Sequence, residues 1–197
     1  MICLICNKPT FDGLTHPVCR GKYTIDGAFS AIAYKGIVKK LIYNFKYKPF
    51  LSDLNETLAE LFYESIIQQE QFVRTIDQLN NDTIVLVTIP LHSKRLRLRG
   101  YNHAQLLAKG LSEKLNLPLI EILQRTKETK SQFGLKLKDR KENLKDAFIL
   151  NTKYKILNTN IFLVDDILTT GSTLLEAARI LKKNGAGRVW GLTLARD

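Results

Sequence analysis

Two adjacent acids and a run of small hydroxyl residues carry the densest chemistry in this chain: Asp165-Asp166-Ile-Leu-Thr169-Thr170-Gly171-Ser172-Thr173. They follow Ile161-Phe-Leu-Val164, an unbroken apolar run of the kind found in a short strand buried on both faces. The acids fall where that strand is expected to end, and open α/β sheets bind ligands outside the carboxyl ends of their strands. The small-residue loop is expected to turn into a helix, because Thr173 with Glu176 three residues on has capping-box spacing. Thr169 to Thr173 would then set backbone N–H groups and hydroxyls at a helix N-terminus, ready to hold an anion. A carboxylate pair beside an anion cradle suits a sugar with a 5′-phosphate, with the acids on ribose hydroxyls and the loop on the phosphate. An acidic turn before an ordinary capped helix is the plainer reading of the same residues.

A second constellation is Ile89-Pro90-Leu91-His92-Ser93-Lys94-Arg95-Leu-Arg97-Leu-Arg99-Gly100-Tyr101-Asn102. It reads as a loop between a strand and a helix, on the same sheet edge as the acids. Four cations in the six residues 94–99 could neutralise a pyrophosphate, with Arg doing so bidentately, or clamp a nucleic-acid backbone. A third, Arg125-Thr-Lys127-Glu-Thr-Lys130-Ser131-Gln132 onward to Phe148, is long, basic and inserted between strands. It reads as a hood able to close over a phosphosugar, or as a plain surface excursion. Tyr43, Phe45, Tyr47 and Phe50, interleaved with Lys46 and Lys48, could stack on single-stranded bases, although core packing is the commoner use of such residues.

The N-terminus reads Cys3-x-x-Cys6, then His16-x-x-Cys19. This spacing supplies thiolates from one tight turn, and His16 with Cys19 could close a tetrahedron around a structural zinc. Fewer than about 30 residues cannot build a core of their own, and a metal would supply the missing stability. Unrelated thiols beside a loop histidine are the alternative.

These groups need a scaffold, and the periodicities provide one. Strands are expected over 28–34, 84–89, 119–123, 161–164 and 188–194, and helices over 36–46, 52–73, 103–115 and 173–184. Ile37, Leu41, Ile42 and Phe45 share one face of the first helix, and Asn80-Asn81-Asp82 marks a turn. Strands alternating with helices imply an α/β fold, a parallel sheet flanked by helices. The 197 residues divide into a small finger, 1–27, and one main domain, 28–197.

The formal net charge of +11 is segregated. Residues 35–48 carry five Lys and no acid, 92–109 five Lys or Arg and no acid, and 125–145 eight bases against three acids. Residues 53–82 hold seven acids against Arg74 alone. That pattern points to a polyanionic partner, or else to a generally basic, solvated surface. No apolar run reaches the ~18 residues of a membrane span, and the N-terminus lacks a signal-like start, so cytoplasmic residence is the expectation.

The acid pair and its loop resemble the phosphoribosyl pyrophosphate (PRPP) loop of type I phosphoribosyltransferases. Taken with Tyr34-x-Gly36, Phe45-Lys46-Tyr47, Pro90-Leu91-His92-x-x-Arg95-x-x-x-Arg99-Gly100-Tyr101-Asn102, Arg125-x-Lys127, Gln132, Arg140-x-x-Asn143 and Ala147-Phe148, nearly the whole chain resembles the ComF family of competence proteins. These are phosphoribosyltransferase-like proteins with an N-terminal zinc finger. The resemblance implies a role in taking up DNA during natural transformation, with single-stranded DNA, PRPP and other DNA-uptake proteins as partners. It places Asp165 and Asp166 on the ribose hydroxyls, Thr169, Thr170, Gly171, Ser172 and Thr173 on the 5′-phosphate, and Mg²⁺ near the pyrophosphate. Lys94, Arg95, Arg97, Arg99, Tyr101, Asn102, Arg125 and Lys127 are the candidates for pyrophosphate or nucleic acid. The family's second Cys-x-x-Cys is incomplete here: Lys22 stands where the partner of Cys19 belongs, and His16 is the candidate substitute among the ligands Cys3, Cys6, His16 and Cys19. An active phosphoribosyltransferase on an unknown acceptor and a PRPP-sensing, RNA-binding regulator are the alternative functions.

Overall fold

The computed structural model describes residues 2–47, 52–79, 83–128, 144–151 and 154–197. After 3-10 turns at Phe11–Gly13 and Pro17–Cys19 come β1 (Gly27–Ala33), α1 (Gly36–Tyr47), α2 (Ser52–Ile67), α3 (Glu70–Gln78) and β2 (Ile84–Thr88). There follow α4 (Ser93–Arg99), α5 (His103–Leu115), β3 (Leu119–Ile120), β4 (Leu123–Arg125), β5 (Phe148–Leu150), β6 (Asn160–Leu168), α6 (Ser172–Lys183) and β7 (Val189–Arg196).

The main sheet has five strands in the order β1-β7-β6-β2-β3, and every pairing in it is parallel. Its central strands are apolar on both sides because helices cover both faces. On one face Val87, Ile161, Leu163 and Val189 pack with Leu174, Ala177 and Leu181 of α6. On the other, Leu86, Phe162, Val164 and Leu192 meet Ile42 and Phe45 of α1, Leu58 and Phe62 of α2, Phe72 of α3, and Leu107 and Leu111 of α5. The α2–α5 contact is close: a Cβ at Gly110 would lie 2.5 Å from the Ala59 Cβ. This is the expected α/β architecture, a parallel sheet flanked by helices.

The structure revises several expected elements. The helix expected over 52–73 is two helices: the chain turns extended at Gln69, whose side-chain Nε2 donates to the Ser30 carbonyl of β1 at 2.8 Å. Ile37 is exposed, leaving Ile42 and Phe45 as the fully buried residues among the described side chains of α1. The strand expected over 119–123 stops at Ile120, and Leu123–Arg125 pairs instead with β5 in a separate antiparallel sheet. The basic stretch after β2 is not all loop, since Ser93–Arg99 forms α4, ended by Gly100 in the left-handed region at φ 80°. The expected turn at 80–82, residues 129–143 of the basic excursion (with Lys130, Gln132, Arg140 and Asn143), and Lys48 and Phe50 lie outside the described residues.

The N-terminal segment is fastened to the rest of the chain. Thr15 N donates to Asp26 O, Asp26 N to Val189 O, and the Leu4 and Ile25 side chains are buried in the α6-side core. No helix among the described residues is long and apolar enough to cross a membrane.

Candidate functional site

The acids sit on β6, and the register explains how. β2 ends at Thr88, opposite Val164, whereas β6 stays paired with β7 through Asp165 opposite Thr193 and on to Leu168 opposite Arg196. The strand therefore runs through the acids rather than ending before them, yet past β2 no strand among the described residues pairs with it on that side. Asp165 and Asp166 thus lie beyond the end of β2, at the carboxyl edge of the sheet, with Asp165 Oδ1 accepting from the Asp166 N–H at 2.8 Å.

Lys46, in the last turn of α1, reaches this edge and places its Nζ 2.8 Å from Asp166 Oδ2, with both side chains largely buried. Burial opposes the lysine's charge, but Asp166 and then Asp165 outweigh it and hold the ammonium above its usual range. Asp165 is pushed up to about 7, first by burial and then by the charge of Asp166, with Lys46 and Arg125 pulling the other way. His103, the first residue of α5, is only 2% exposed. Its ring lies 5.0 Å from Phe45 and 4.8 Å from Tyr101 between centroids, and its Nε2 has no hydrogen-bond partner among the described residues. Burial drives its pKa down to about 4; Asp166 opposes that shift, while Arg99 and Lys46 add to it.

The loop after β6 bends through Gly171, in the left-handed region at φ 73°, and enters α6 at Ser172. The Thr173–Glu176 capping box does not form. Glu176 instead accepts from Arg179 Nε at 2.8 Å and from the backbone N–H of Asp146 at 2.8 Å. The Thr170 and Ser172 hydroxyls lie 2.9 Å apart in this loop, Thr169 is exposed and Thr173 half-buried. Gly171 at the N-cap offers no side chain to the start of α6, and the Ser172 N–H donates to the Thr170 hydroxyl at 3.4 Å.

Of the expected cations, Arg125 is within reach of the charge of Asp165, Arg99 acts on Lys46 and His103, and Arg95 acts on Arg125. Arg125 is lowered to about 10 by burial and by Arg95, against the pull of Asp165, and its guanidinium lies 5.6 Å from the Phe148 ring centroid. Lys94 pairs with Glu128, Lys127 donates to Lys145 O at 2.8 Å, and Arg97 is exposed. Tyr101 donates its hydroxyl to Phe45 O at 2.8 Å. Asn102 caps α5, accepting from Ala104 N at 3.2 Å and donating to Ile89 O at 3.0 Å. These two residues thus anchor the loop that carries the cations. Of the aromatic series, Phe45 is core and Tyr43 exposed. Sequence reading noted Lys46 only among those aromatics and within a family block, and passed over His103.

At the N-terminus, one ligand atom from each of Cys3, Cys6, His16 and Cys19 lies within 4.8 Å of all the others. His16 Nε2 is 2.9 Å from Pro9 O, so its N–H donates there and the Nδ1 lone pair faces Cys6 Sγ at 3.3 Å. Cys3 falls to about 7, since the N–H groups of Cys6, His16 and Ile5 outweigh its burial, whereas Cys19 rises to about 11 through burial and its thiol neighbours. Three thiols this close cannot all lose their protons unaided, and a divalent cation removes that conflict. Three sulfurs and one imidazole nitrogen fit a tetrahedral structural zinc, in which sulfurs bound at ~2.3 Å sit under 4 Å apart. The cluster could hold a metal ion and is compatible with a zinc finger.

The phosphoribosyl transferase domain family matches residues 99–196. The chain is 40% identical over 146 residues to Competence protein F of Haemophilus influenzae, covering 72% of this chain and 62% of that protein. It is 39% identical over 110 residues to DNA utilization protein YhgH of Escherichia coli, covering 54% of this chain and 48% of that one. The chain thus spans roughly half to three-fifths of these two relatives. Adenine phosphoribosyltransferase of Leishmania tarentolae aligns at a TM-score of 0.35 and 14% identity over 68% of this chain and 74% of that one, too loosely to carry an argument. Competence protein ComFC of Bacillus subtilis is 30% identical over 215 aligned positions that take in 100% of this chain and 78% of that protein, and the chain therefore belongs to the ComF family of competence proteins.

Proposed function

We propose that this protein binds PRPP and handles incoming single-stranded DNA in the cytosol during natural transformation. The observation that carries the proposal is the convergence at one sheet edge. Asp165 and Asp166 stand past the end of β2, the loop 169–173 opens onto α6, Lys46 pairs with Asp166, and Arg125 feels the charge of Asp165, with Arg95 acting on Arg125 and Arg99 on Lys46. The acids accept the ribose hydroxyls, the loop and the N-terminus of α6 take the 5′-phosphate, and the arginines take the pyrophosphate. Mg²⁺, bound with the pyrophosphate, supplies charge neutralisation there. The names of the relatives point to DNA uptake and use. The exposed part of the basic surface, including Arg97 on α4, suits a nucleic-acid backbone bound without sequence readout. Cys3, Cys6, His16 and Cys19 hold zinc in the finger, residues 1–27, and residues 28–197 form the phosphoribosyl domain. A fold shared with transferases does not define an acceptor, so transfer is no part of the proposal.

PRPP and single-strand binding measured side by side, with and without Mg²⁺, test this reading. Changing Asp165→Asn together with Asp166→Asn removes two charge-assisted hydrogen bonds, each worth about 1.5–3 kcal/mol, and is expected to lower PRPP affinity a hundredfold or more. Unchanged affinity in the folded double variant overturns the sugar assignment. Failure to retain single strands at low salt overturns the DNA assignment, and equal retention of RNA replaces it with the regulator.

A further inference from the structure

We propose that Lys46 and His103 complete a recognition site for a vicinal diol beside Asp166, so that the pocket selects a ribose with both ring hydroxyls over a 2-deoxy sugar. The inference deepens the phosphoribosyl reading and rests on it.

Carboxylates only accept. A hydroxyl that donates to Asp166 still has oxygen lone pairs to satisfy, and a second, neighbouring hydroxyl needs partners of its own. Lys46 brings three N–H donors to this point and spends one on Asp166 at 2.8 Å, leaving two for sugar oxygens. His103 brings a ring nitrogen that is buried without a partner among the described residues, on a side chain only 2% exposed. A buried polar atom left unmet costs free energy unless something in the working complex meets it. The same ring packs 5.0 Å from that of Phe45, the residue before Lys46, and Lys46 reaches Asp166, so the histidine lies on the side of the core next to the acid cluster. Its imidazole is held neutral by burial and is hydrogen-bonded to the Phe45 backbone, which leaves Nε2 to accept a hydroxyl hydrogen.

The positions of both residues are fixed by the protein, as a selective site requires. The Tyr101 hydroxyl donates to Phe45 O, in the residue next to Lys46, and the Tyr101 and Phe45 rings pack on His103. Asn102 caps α5 one residue before His103. A 2-deoxy sugar would leave the histidine nitrogen and one ammonium hydrogen unmet, and sites built to bond a hydroxyl reject the analogue lacking it strongly.

Calorimetric titration with ribose 5-phosphate, 2-deoxyribose 5-phosphate and inorganic phosphate tests this on the full chain. The wild-type protein is expected to prefer ribose 5-phosphate at least tenfold. Lys46→Met and His103→Phe, the latter keeping a ring against Phe45 and Tyr101, are each expected to reduce that preference to threefold or less while inorganic phosphate binds as before. Because Lys46→Met leaves Asp166 without its counter-ion and could unfold the edge, His103→Phe and the charge-retaining Lys46→Arg keep the test decisive. A folded His103→Phe variant with the wild-type preference overturns the inference, as does a wild-type protein that binds both sugars equally. A wild-type protein that binds neither sugar phosphate nor PRPP overturns the phosphoribosyl reading itself, and this inference with it.

Discussion

Asp165 and Asp166 are neighbours in one strand, and among the described residues Asp166 alone has a lysine in contact. Two adjacent carboxylates resist ionising together, and a partly dry setting sharpens the effect. Asp165 takes up the difference by titrating near 7, where a free aspartate titrates near 3.8. Between about pH 4 and 7 the folded chain therefore holds a proton that the unfolded chain has already lost. Stability falls with rising pH wherever the native state binds more protons, so this residue makes the protein less stable as pH climbs through that window. Asp165→Asn removes the titration. Denaturant unfolding at pH 5 and pH 8 is expected to show the wild type losing stability relative to the variant between the two, and parallel profiles would show that Asp165 is not shifted. Lys46 does not blur this comparison, because its ammonium stays charged across the whole range.

One close contact sets where α5, and with it His103, meets the sheet. Gly110 on α5 faces Ala59 on α2 with no room for a methyl group, since an added Cβ would stand 2.5 Å from the Ala59 Cβ. Replacing a mid-helix glycine by alanine ordinarily stabilises by about 0.5–1 kcal/mol. Here the clash opposes that gain, and overpacking of this kind costs about 1–3 kcal/mol, so Gly110→Ala is expected to destabilise. Equilibrium unfolding checks the sign, and a stabilised variant would mean that the two helices part easily. Much of this scaffold was legible beforehand: the apolar runs of β2 and β6 and the spacing of Leu107 and Leu111 in α5 are local signals. α4 was not, because Ser93–Arg99 is short and buries no residue, leaving no apolar periodicity to read. The capping box at Thr173 failed for a related reason, since Glu176 is drawn to Asp146, thirty residues away in sequence. The acid pair and its loop are a contiguous motif and could be read, whereas Lys46 reaches Asp166 only once α1 folds over the sheet edge.

At the scale of the whole molecule, the cysteine-bearing N-terminal segment and the loop before α6 share a wall. Leu4 stands between Cys3 and Cys6 in sequence, is 3% exposed and belongs to the same core as Leu174 of α6. Its Cδ2 lies 3.0 Å from where a Cβ of Gly171 would be, so the leucine packs directly against the turn that starts α6. The turn that holds Leu4 is closed by Cys3 N donating to Lys8 O and Asn7 N to Cys3 O, each at 2.9 Å. In a segment this small, a metal held by the cluster would supply folding free energy, so its loss is expected to free the turn and withdraw Leu4 from under the loop. Protein purified without added zinc is expected to carry about one equivalent, the content of one four-ligand site. Stripping that metal with a chelator is expected to weaken PRPP binding although no finger residue need touch the ligand. Leu4→Ala separates the two effects: it keeps all four ligands and hence the zinc, loses about 2–5 kcal/mol of stability as buried leucine truncations do, and weakens PRPP binding as stripping does. Metal analysis and calorimetry on the same preparations read both quantities. A metal-free protein that still binds PRPP like the wild type would show the finger to be an independent attachment. A His16→Ala variant at full zinc content would leave the coupling intact and move the fourth ligand elsewhere.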